Sequence, residues 1–210
     1  MRTTHNPKDV RTALPIELIA YHYYMATFRR SVVPGATYFF TVNTYQRIKV
    51  LTSEPFYQAL KEALRQVMAK HPFEIDAFVL LPDHVHCIWT LPPDDGDYAM
   101  RWNIVKRLAS QSTRNEIVPL LSASRIKRKE LGLWQRRFWE HQIRDDDDFA
   151  RHVDYIHWNP MKHGYVSRVV DWPYSSFHQY LRNGVYPENW AGTTECDRAH
   201  SARYDFGEME

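Results

Sequence analysis

The chain has few of the features that would cross-link it or carry it into a membrane. Only two of its 210 residues are cysteines, Cys87 and Cys196, so no disulfide framework is expected, and the two thiols fit a reducing compartment. No stretch approaches the roughly 20 apolar residues that a membrane-spanning helix needs. Near the N-terminus there is no apolar run with a small-residue cleavage site, so we expect no signal peptide. These absences predict a cytoplasmic protein with no membrane partner.

Glycine is scarce and neither sign of charge dominates. The 7 glycines form no Gly-rich phosphate loop, so we expect no nucleotide cofactor. The formal net charge of +2 decides little, but its distribution is uneven. Between Arg101 and Arg137 there are ten Lys or Arg and two Glu, whereas between Glu140 and Asp154 there are six acidic residues and two Arg. A basic segment beside an acidic helix start suggests a polyanion-binding surface next to a cation site, although a charge run is more often a solvated face.

The length of the chain limits the number of domains. The 210 residues suffice for one good core and are too few for two large domains. We expect an N-terminal extension over residues 1–27, non-native or poorly ordered, with Met25 as an alternative start. Residues 28–165 are expected to form the main domain, and residues 166–210 a C-terminal wrapping tail.

Hydrophobic periodicity predicts the order of secondary-structure elements. Runs of β-branched and aromatic residues predict strands over 37–45, 73–81, 84–91 and 138–143. Helical spacing predicts helices over 54–70 and 98–117, and four aspartates at 145–148 would cap a helix that ends near Trp158, before Asn159-Pro160. A basic, mobile connection is expected over 119–135 and a short helix near 174–181. The order is that of the ferredoxin-like split βαβ fold, an α+β antiparallel sheet with helices on one face, here with an extra C-terminal helix carrying Tyr155.

The pair His84 and His86 is the first candidate site. Residues i and i+2 of a strand point to the same face, so the two imidazoles would stand side by side and can share one metal ion. Val85 and Cys87 would point the other way, into the helix layer. With 11 histidines in the chain, a chance pair at this spacing is expected on the order of once in two such chains. The position at the start of an apolar strand strengthens the signal.

Tyr155 and Asn159 form the second candidate site, because residues four apart share one helix face. His152 lies on the same face. A nearby cation would stabilise the phenolate of a nucleophilic tyrosine, and the Asn159 oxygen suits Mg²⁺ or Mn²⁺. On spacing alone, a tyrosine on an amphipathic helix is more often a core residue than a nucleophile. Glu140 and His141 point to opposite faces of the last strand, so only one of them can face the site, in a structural or outer-shell role.

Five linked blocks of sequence carry a resemblance to a known family. They are FRR with PGATYFFTV (28–42), LLPDHVHCIW (80–89), RFWEHQIR (137–144), HVDYIHWNPMKHG (152–164) and DWPYSS (171–176). Over residues 28–190 the chain resembles the REP-associated tyrosine transposases of bacteria, a branch of the single-tyrosine HUH transposase superfamily with an IS200-like transposase domain. The insert at 125–129 is longer than the family pattern leads us to expect.

The resemblance implies an enzyme that cuts single-stranded DNA next to imperfect palindromic hairpins. The implied intermediate is a 5′-phosphotyrosine, and the implied cofactor is Mg²⁺ or Mn²⁺. His84 and His86 match the metal ligands and Tyr155 the nucleophile. Asn159 matches the third ligand, where insertion-sequence relatives often carry Gln. A monomer in the bacterial cytoplasm, associated with the nucleoid, is also implied.

We expect DNA to be bound by basic side chains spread over the domain. These are Arg29, Arg30, Arg101, Lys106, Arg107, Arg125, Lys127, Arg128, Lys129, Arg136, Arg137 and Lys162. Two rival interpretations stay open at this point. One is a protein that binds hairpins without cutting them. The other is a histidine-triad-like nucleotide hydrolase, which is disfavoured because Ile88 occupies the position of the third histidine.

Overall fold

A computed structural model of the protein describes residues 31–117 and 132–191. The chain divides into two units, Met1–Ser31 and Val32–Glu210, and the elements below belong to the second. The predicted N-terminal extension, the basic segment at 125–129 and the end of the tail lie outside the described residues. Each helix of the described part is too short or too polar to span a membrane.

Four strands form one antiparallel sheet. They are β1 (Thr37–Asn43), β2 (Glu74–Leu80), β3 (His84–Thr90) and β4 (Trp139–Gln142). Their order in the sheet is β2-β3-β1-β4, so β1 lies between β3 and β4. This is the order of a split βαβ fold, and the predicted fold class is confirmed. In the β1–β3 register Asn43 pairs with His84 and Thr41 with His86.

Two long helices cover one face of the sheet. They are α1 (Glu54–Lys70) and α2 (Tyr98–Ser112), which pack against each other. Val85 and Cys87 enter this layer, as predicted. The predicted helix 98–117 is interrupted at Thr113, whose hydroxyl bonds the Ala109 carbonyl at 2.9 Å while its backbone leaves helical geometry. A separate short helix, α3 (Arg114–Ile117), follows.

The opposite face of the sheet is covered by α4 (Asp146–Lys162). Its Val153 and Ile156 pack with Phe39 and Val79 of the sheet in a second apolar cluster. The helix begins as the sequence predicts, because Asp145 accepts a hydrogen bond from the Asp148 amide at 2.7 Å. The acidic first turn also favours the positive end of the helix dipole.

The predicted end of this helix near Trp158 is wrong. The helix continues through Pro160 to Lys162, although a proline here lacks the N–H that would bond the carbonyl four residues earlier and its ring crowds that carbonyl. His163 caps the helix, and Gly164 follows it with φ of +68°. The Gly164 amide bonds the Met161 carbonyl and the Tyr165 amide bonds the Pro160 carbonyl, which together form a Schellman motif. Asn159 consequently stays helical, one turn after Tyr155.

The tail packs along the free edge of β2. The Leu80 amide donates to the Tyr174 carbonyl and the Ser176 amide donates to the Phe78 carbonyl, both at 2.9 Å. These bonds flank a β-bridge between Ser175 and Val79, so the short helix α5 spans Phe177–Arg182 and begins later than predicted. Edge pairing of this kind blocks the strand from further association.

Candidate active site

The two histidines of β3 lie side by side on the sheet face beneath α4. The ring centroids of His84 and His86 are 4.8 Å apart and the rings are nearly perpendicular, at 84°. Both side chains are buried. The structure thus brings the two imidazoles together in the way that strand alternation predicts.

Each imidazole is held through its Nδ1 atom. His84 Nδ1 lies 2.7 Å from Asp83 Oδ1, and His86 Nδ1 lies 2.9 Å from Thr41 Oγ1. Such bonds orient metal-ligating histidines and leave Nε2 as the ligand atom. His86 Nε2 is buried and has no hydrogen-bond partner among the described residues. In the tautomer in which both Nδ1 atoms donate, the Nε2 lone pairs lie on the side away from these anchors.

The tyrosine of α4 lies against this pair. The ring centroid of Tyr155 is 5.2 Å from that of His86, with the rings at 69°. Tyr155 is only 2% exposed. The ammonium of Lys162, a residue on the surface, lies 5.1 Å from the centroid of the Tyr155 ring. On that side a flexible side chain, not the core, covers the tyrosine.

Asn159 is wholly buried one helical turn after Tyr155. Within the described part of the chain, neither its amide oxygen nor its amide nitrogen has a hydrogen-bond partner. A buried polar group left unpaired costs about 1–3 kcal/mol, and native proteins rarely accept that cost without a reason. The amide is thus available to a group other than the surrounding side chains.

The electrostatics keep the His86 imidazole unprotonated. Burial lowers the pKa of His86 well below its usual value, and the charges of His84 and His163 lower it further. The His86 imidazole is therefore neutral at pH 7 and able to accept a cation. Burial by itself would raise the pKa of Asp83, but the hydrogen bond from His84 and the charges of His84 and Arg47 outweigh it and lower the pKa.

A second polar group joins β4 to α4. Ligand atoms of His141, Asp148 and His152 lie within 4.8 Å of one another. His141 Nε2 lies 2.8 Å from Asp148 Oδ2, which also accepts from the Arg144 amide at 3.1 Å and from its Nε at 3.2 Å. Arg151 lies 3.4 Å from the other carboxylate oxygen. Two arginines and a histidine already contact this carboxylate. We therefore interpret the group as a structural hydrogen-bond network and not as a metal site.

Asp148→Asn should therefore destabilise the fold by about 2 kcal/mol at pH 7, since it breaks the ion pairs of a buried carboxylate with Arg144 and Arg151 and its bond to His141. Burial would raise the pKa of Asp148, but hydrogen bonds from His141 and Arg144 lower it. A lowered pKa stabilises the fold above the unfolded value of about 3.9 and loses that effect as the pH falls. In urea denaturation, the difference from wild type should shrink below about pH 4. Asp146→Asn, on an exposed neighbour, is the control, and equal stability of the Asp148 variant at pH 7 would contradict this interpretation.

The structure places the two candidate residues of β4, Glu140 and His141, on opposite faces of the sheet. His141 pairs with Phe39, and its ring stacks on that of His152 at 4.8 Å. His152 in turn lies 4.8 Å from the Phe39 ring, so both histidines share the face of Tyr155. Glu140 pairs with Phe40 and faces the α1–α2 layer. Glu140 thus has no direct place beside the histidine pair.

Arg101 was predicted to contact DNA, and this prediction is wrong. Its side chain is 1% exposed. The guanidinium donates to the carbonyls of His71, Pro72 and Asp97 and to the Asp95 carboxylate. Arg101 therefore joins α2 to the loop before β2, and its position in a basic segment misled the prediction.

The other predicted DNA contacts fall into three groups. Four side chains are exposed: Arg107, Arg136, Arg137 and Lys162. Lys106 is half-buried, with its ammonium 3.2 Å from the Gln135 carbonyl and 5.1 Å from the Phe138 ring centroid. The remaining residues, Arg29, Arg30, Arg125, Lys127, Arg128 and Lys129, lie outside the described residues.

Three residues beside the histidine pair escaped the sequence analysis. Thr41 and Asp83 bond the imidazoles, and Arg47 lies 3.1 Å from the Asp83 carboxylate. Asp83 directly precedes His84, so its position was a usable signal. Thr41 meets His86 only through the pairing of β1 with β3, which a single strand's pattern does not reveal.

The family model described as Transposase IS200 like matches residues 32–159, more than half of the chain. The antiparallel sheet and this match define the class of the protein, an enzyme of the transposase type.

Similar proteins identify the family within this class. Over 169 residues the chain is 46% identical to a REP-associated tyrosine transposase of Escherichia coli (strain K12), which covers 80% of this chain and 92% of that protein. A solved structure of a REP-associated tyrosine transposase bound to a REP hairpin has 45% sequence identity and a TM-score of 0.66, covering 79% of this chain and 91% of that one. The chain belongs to the family of REP-associated tyrosine transposases, and the predicted resemblance is confirmed.

Proposed function

We propose that this enzyme cuts and rejoins single-stranded DNA next to imperfect palindromic hairpins. Tyr155 is the proposed nucleophile, and His84, His86 and Asn159 are the proposed ligands of a divalent ion. One observation carries the proposal: the histidine pair lies against Tyr155, while His86 Nε2 and the Asn159 amide are buried without a partner among the described residues. The solved relative is bound to a REP hairpin, which supports hairpin DNA as the substrate.

The residues at the site fit Mg²⁺ or Mn²⁺. An amide oxygen is a hard ligand of the kind that these ions prefer, whereas the two imidazole nitrogens are ligands shared with other divalent transition-metal ions. With Nδ1 donating to Asp83 in His84 and to Thr41 in His86, the two rings would take the tautomer that leaves Nε2 unprotonated. When bound, the ion would polarise the scissile phosphate and stabilise the departing 3′-oxygen.

The chain's own residues would carry out the transfer. The Tyr155 oxygen forms a bond to phosphorus, the bond from phosphorus to the 3′-oxygen breaks, and a 5′-phosphotyrosine and a 3′-OH result. The phenol releases its proton to solvent and the 3′-oxygen takes one up. Phe39 and His86 pack edge-on against the Tyr155 ring, with centroids at 6.0 and 5.2 Å, which restricts its orientation. Because the ester conserves the bond energy, a 3′-OH can reverse the step or join another strand.

The approach of DNA requires the covering lysine to move. Lys162 lies over the Tyr155 ring and is itself exposed, so its displacement leaves the apolar core intact. Its ammonium is then positioned to neutralise a phosphate. Together with the exposed Arg107, Arg136 and Arg137, it would give an affinity that falls steeply as salt rises. We propose that the protein acts as a monomer.

The test is a covalent trapping assay. The full chain is incubated with a 3′-labelled hairpin carrying a single-stranded flank, with Mn²⁺, and resolved on a denaturing gel. The proposal predicts a labelled protein band, since the protein keeps the 5′-phosphate side. Hairpin binding with no adduct for any flank or metal would favour the second candidate, a hairpin-binding protein that does not cut.

Thr41→Val should lower both Mn²⁺ affinity and cleavage by about 10–100-fold, because it removes the hydroxyl that orients His86. Calorimetric titration with Mn²⁺ measures the first effect. Thr37→Val is the matched control, since Thr37 lies on the same strand but bonds Thr90 Oγ1 at 2.8 Å, away from the histidines. Unchanged Mn²⁺ affinity in Thr41→Val would remove Thr41 from this role.

A further inference from the structure

Arg47 follows β1 in a backbone conformation that is unusual for its residue type. Gln46 and Arg47 have φ of +52° and +54°, in the left-handed region that side chains other than glycine enter at a cost of about 1–3 kcal/mol each. Such strain persists only where the surrounding structure imposes it, and it concentrates at functional sites. The contacts of the Arg47 side chain identify what imposes it here.

The Arg47 guanidinium is anchored at the edge of the histidine pair. Its Nε lies 3.1 Å from Asp83 Oδ2, and its Nη1 donates to Asn43 Oδ1 at 2.6 Å. The other oxygen of Asp83 lies 2.7 Å from His84 Nδ1. Asn43 pairs with His84 across the sheet. Only the Asp83 carboxylate therefore separates the guanidinium from the His84 ring.

The exposure of Arg47 indicates that its side chain can contact a ligand from solvent as well as pair with Asp83. The Arg47 side chain is 44% exposed, whereas that of Asp83 is 8% exposed. The guanidinium thus lies where the buried histidine site meets solvent. Among the described residues, an ion pair with Asp83 engages its Nε and a hydrogen bond to Asn43 engages its Nη1, which leaves Nη2. A planar, permanently charged group with donors remaining suits the oxygens of a phosphodiester.

We propose that Arg47 contacts a phosphate of the DNA strand bound at the histidine pair, and that Asp83 and Asn43 hold its guanidinium in position. This proposal rests on the proposed function, which places the scissile strand beside His84 and His86. It adds a substrate contact that the basic residues predicted from the sequence did not include. Asp83 then has two neighbours to orient, a metal-site histidine and a phosphate-binding arginine.

The experiment measures hairpin binding in a Tyr155→Phe background, so that no cleavage intervenes. Each phosphate around the cleavage position is replaced in turn by an uncharged methylphosphonate, and affinities are compared with and without Arg47→Met. Arg47→Met should weaken binding about 10-fold, as expected for a charge-assisted contact. At one position the methylphosphonate should weaken binding by the protein with Arg47 by a similar factor. The same methylphosphonate should not weaken binding by the Arg47→Met protein further, because that protein has already lost the contact with this phosphate.

If the affinity losses from Arg47→Met and from the methylphosphonate multiply at every position, the proposal is overturned. Arg47 would then serve only to neutralise Asp83. Arg65→Met is the matched control: Arg65 is an exposed arginine of α1 paired with Glu62, and its loss should multiply with every methylphosphonate. If Arg47→Met fails to fold, Arg47→Lys, which keeps the charge but not the planar fork, provides the same comparison. A parent protein that does not bind the hairpin at all contradicts the proposed function itself, which separates the two failures.

Discussion

Replacing Tyr155 by phenylalanine should abolish the covalent adduct with 3′-labelled hairpin DNA and reduce cleavage by at least ~10⁴-fold, the order seen when a catalytic nucleophile is removed. The variant loses only the oxygen that attacks phosphorus. Its ring keeps the contacts with His86 and Phe39, so the fold and the affinity for the hairpin should persist. Denaturing gels measure the adduct, and mass spectrometry of the DNA-linked peptide identifies the tyrosine.

Tyr165→Phe is the matched control for that experiment. Tyr165 follows α4 and its ring stacks on Trp172 at 5.5 Å, within the same part of the molecule. The control should form the adduct at the wild-type rate. An adduct that survives in Tyr155→Phe, or a DNA-linked peptide that contains a different tyrosine, would remove Tyr155 from the proposed role.

His86→Phe should lower Mn²⁺ affinity by at least ~100-fold and reduce cleavage in parallel, because loss of a direct ligand should exceed the 10–100-fold cost of an outer-shell change. Phenylalanine keeps the ring volume between Phe39 and Tyr155 but offers no nitrogen. Hairpin affinity should change little, since the basic surface is untouched. Calorimetry with Mn²⁺ and cleavage rates across Mn²⁺ concentrations measure the two effects.

His157→Phe separates the loss of a ligand from the loss of a buried histidine. His157 is also wholly buried on α4, where its Nε2 lies 2.9 Å from Ser176 Oγ, and burial lowers its pKa to about 3. This control should lose stability and keep wild-type Mn²⁺ affinity. Wild-type Mn²⁺ affinity in His86→Phe would show that the ion binds elsewhere.

The histidine pair was predictable because strand alternation alone fixes which face a side chain takes. His84 and His86 share a face whatever β3 pairs with. Asn159 lies one turn after Tyr155 because α4 continues past the end that the sequence predicts. The anchors of the pair were not predictable in the same way. Thr41 reaches His86 through the register between two strands, and register depends on the whole sheet.

The wrong predictions concern features that the local sequence does not encode. Arg101 is a charged residue in a basic segment, yet the carbonyls of His71 and Pro72 receive its guanidinium, a tertiary arrangement that composition does not encode. The helix was predicted to stop before Pro160, but α4 includes the proline and continues to Lys162.

The position of the ion tests the account most directly. Crystals of the protein grown with Mn²⁺ and a hairpin oligonucleotide would locate it through the anomalous scattering of manganese. We predict one peak bonded to the Nε2 atoms of His84 and His86 and to the Asn159 oxygen, with the Tyr155 hydroxyl directed at the adjacent phosphate. A manganese peak at His141, Asp148 and His152 instead, with none between the β3 histidines, would contradict it.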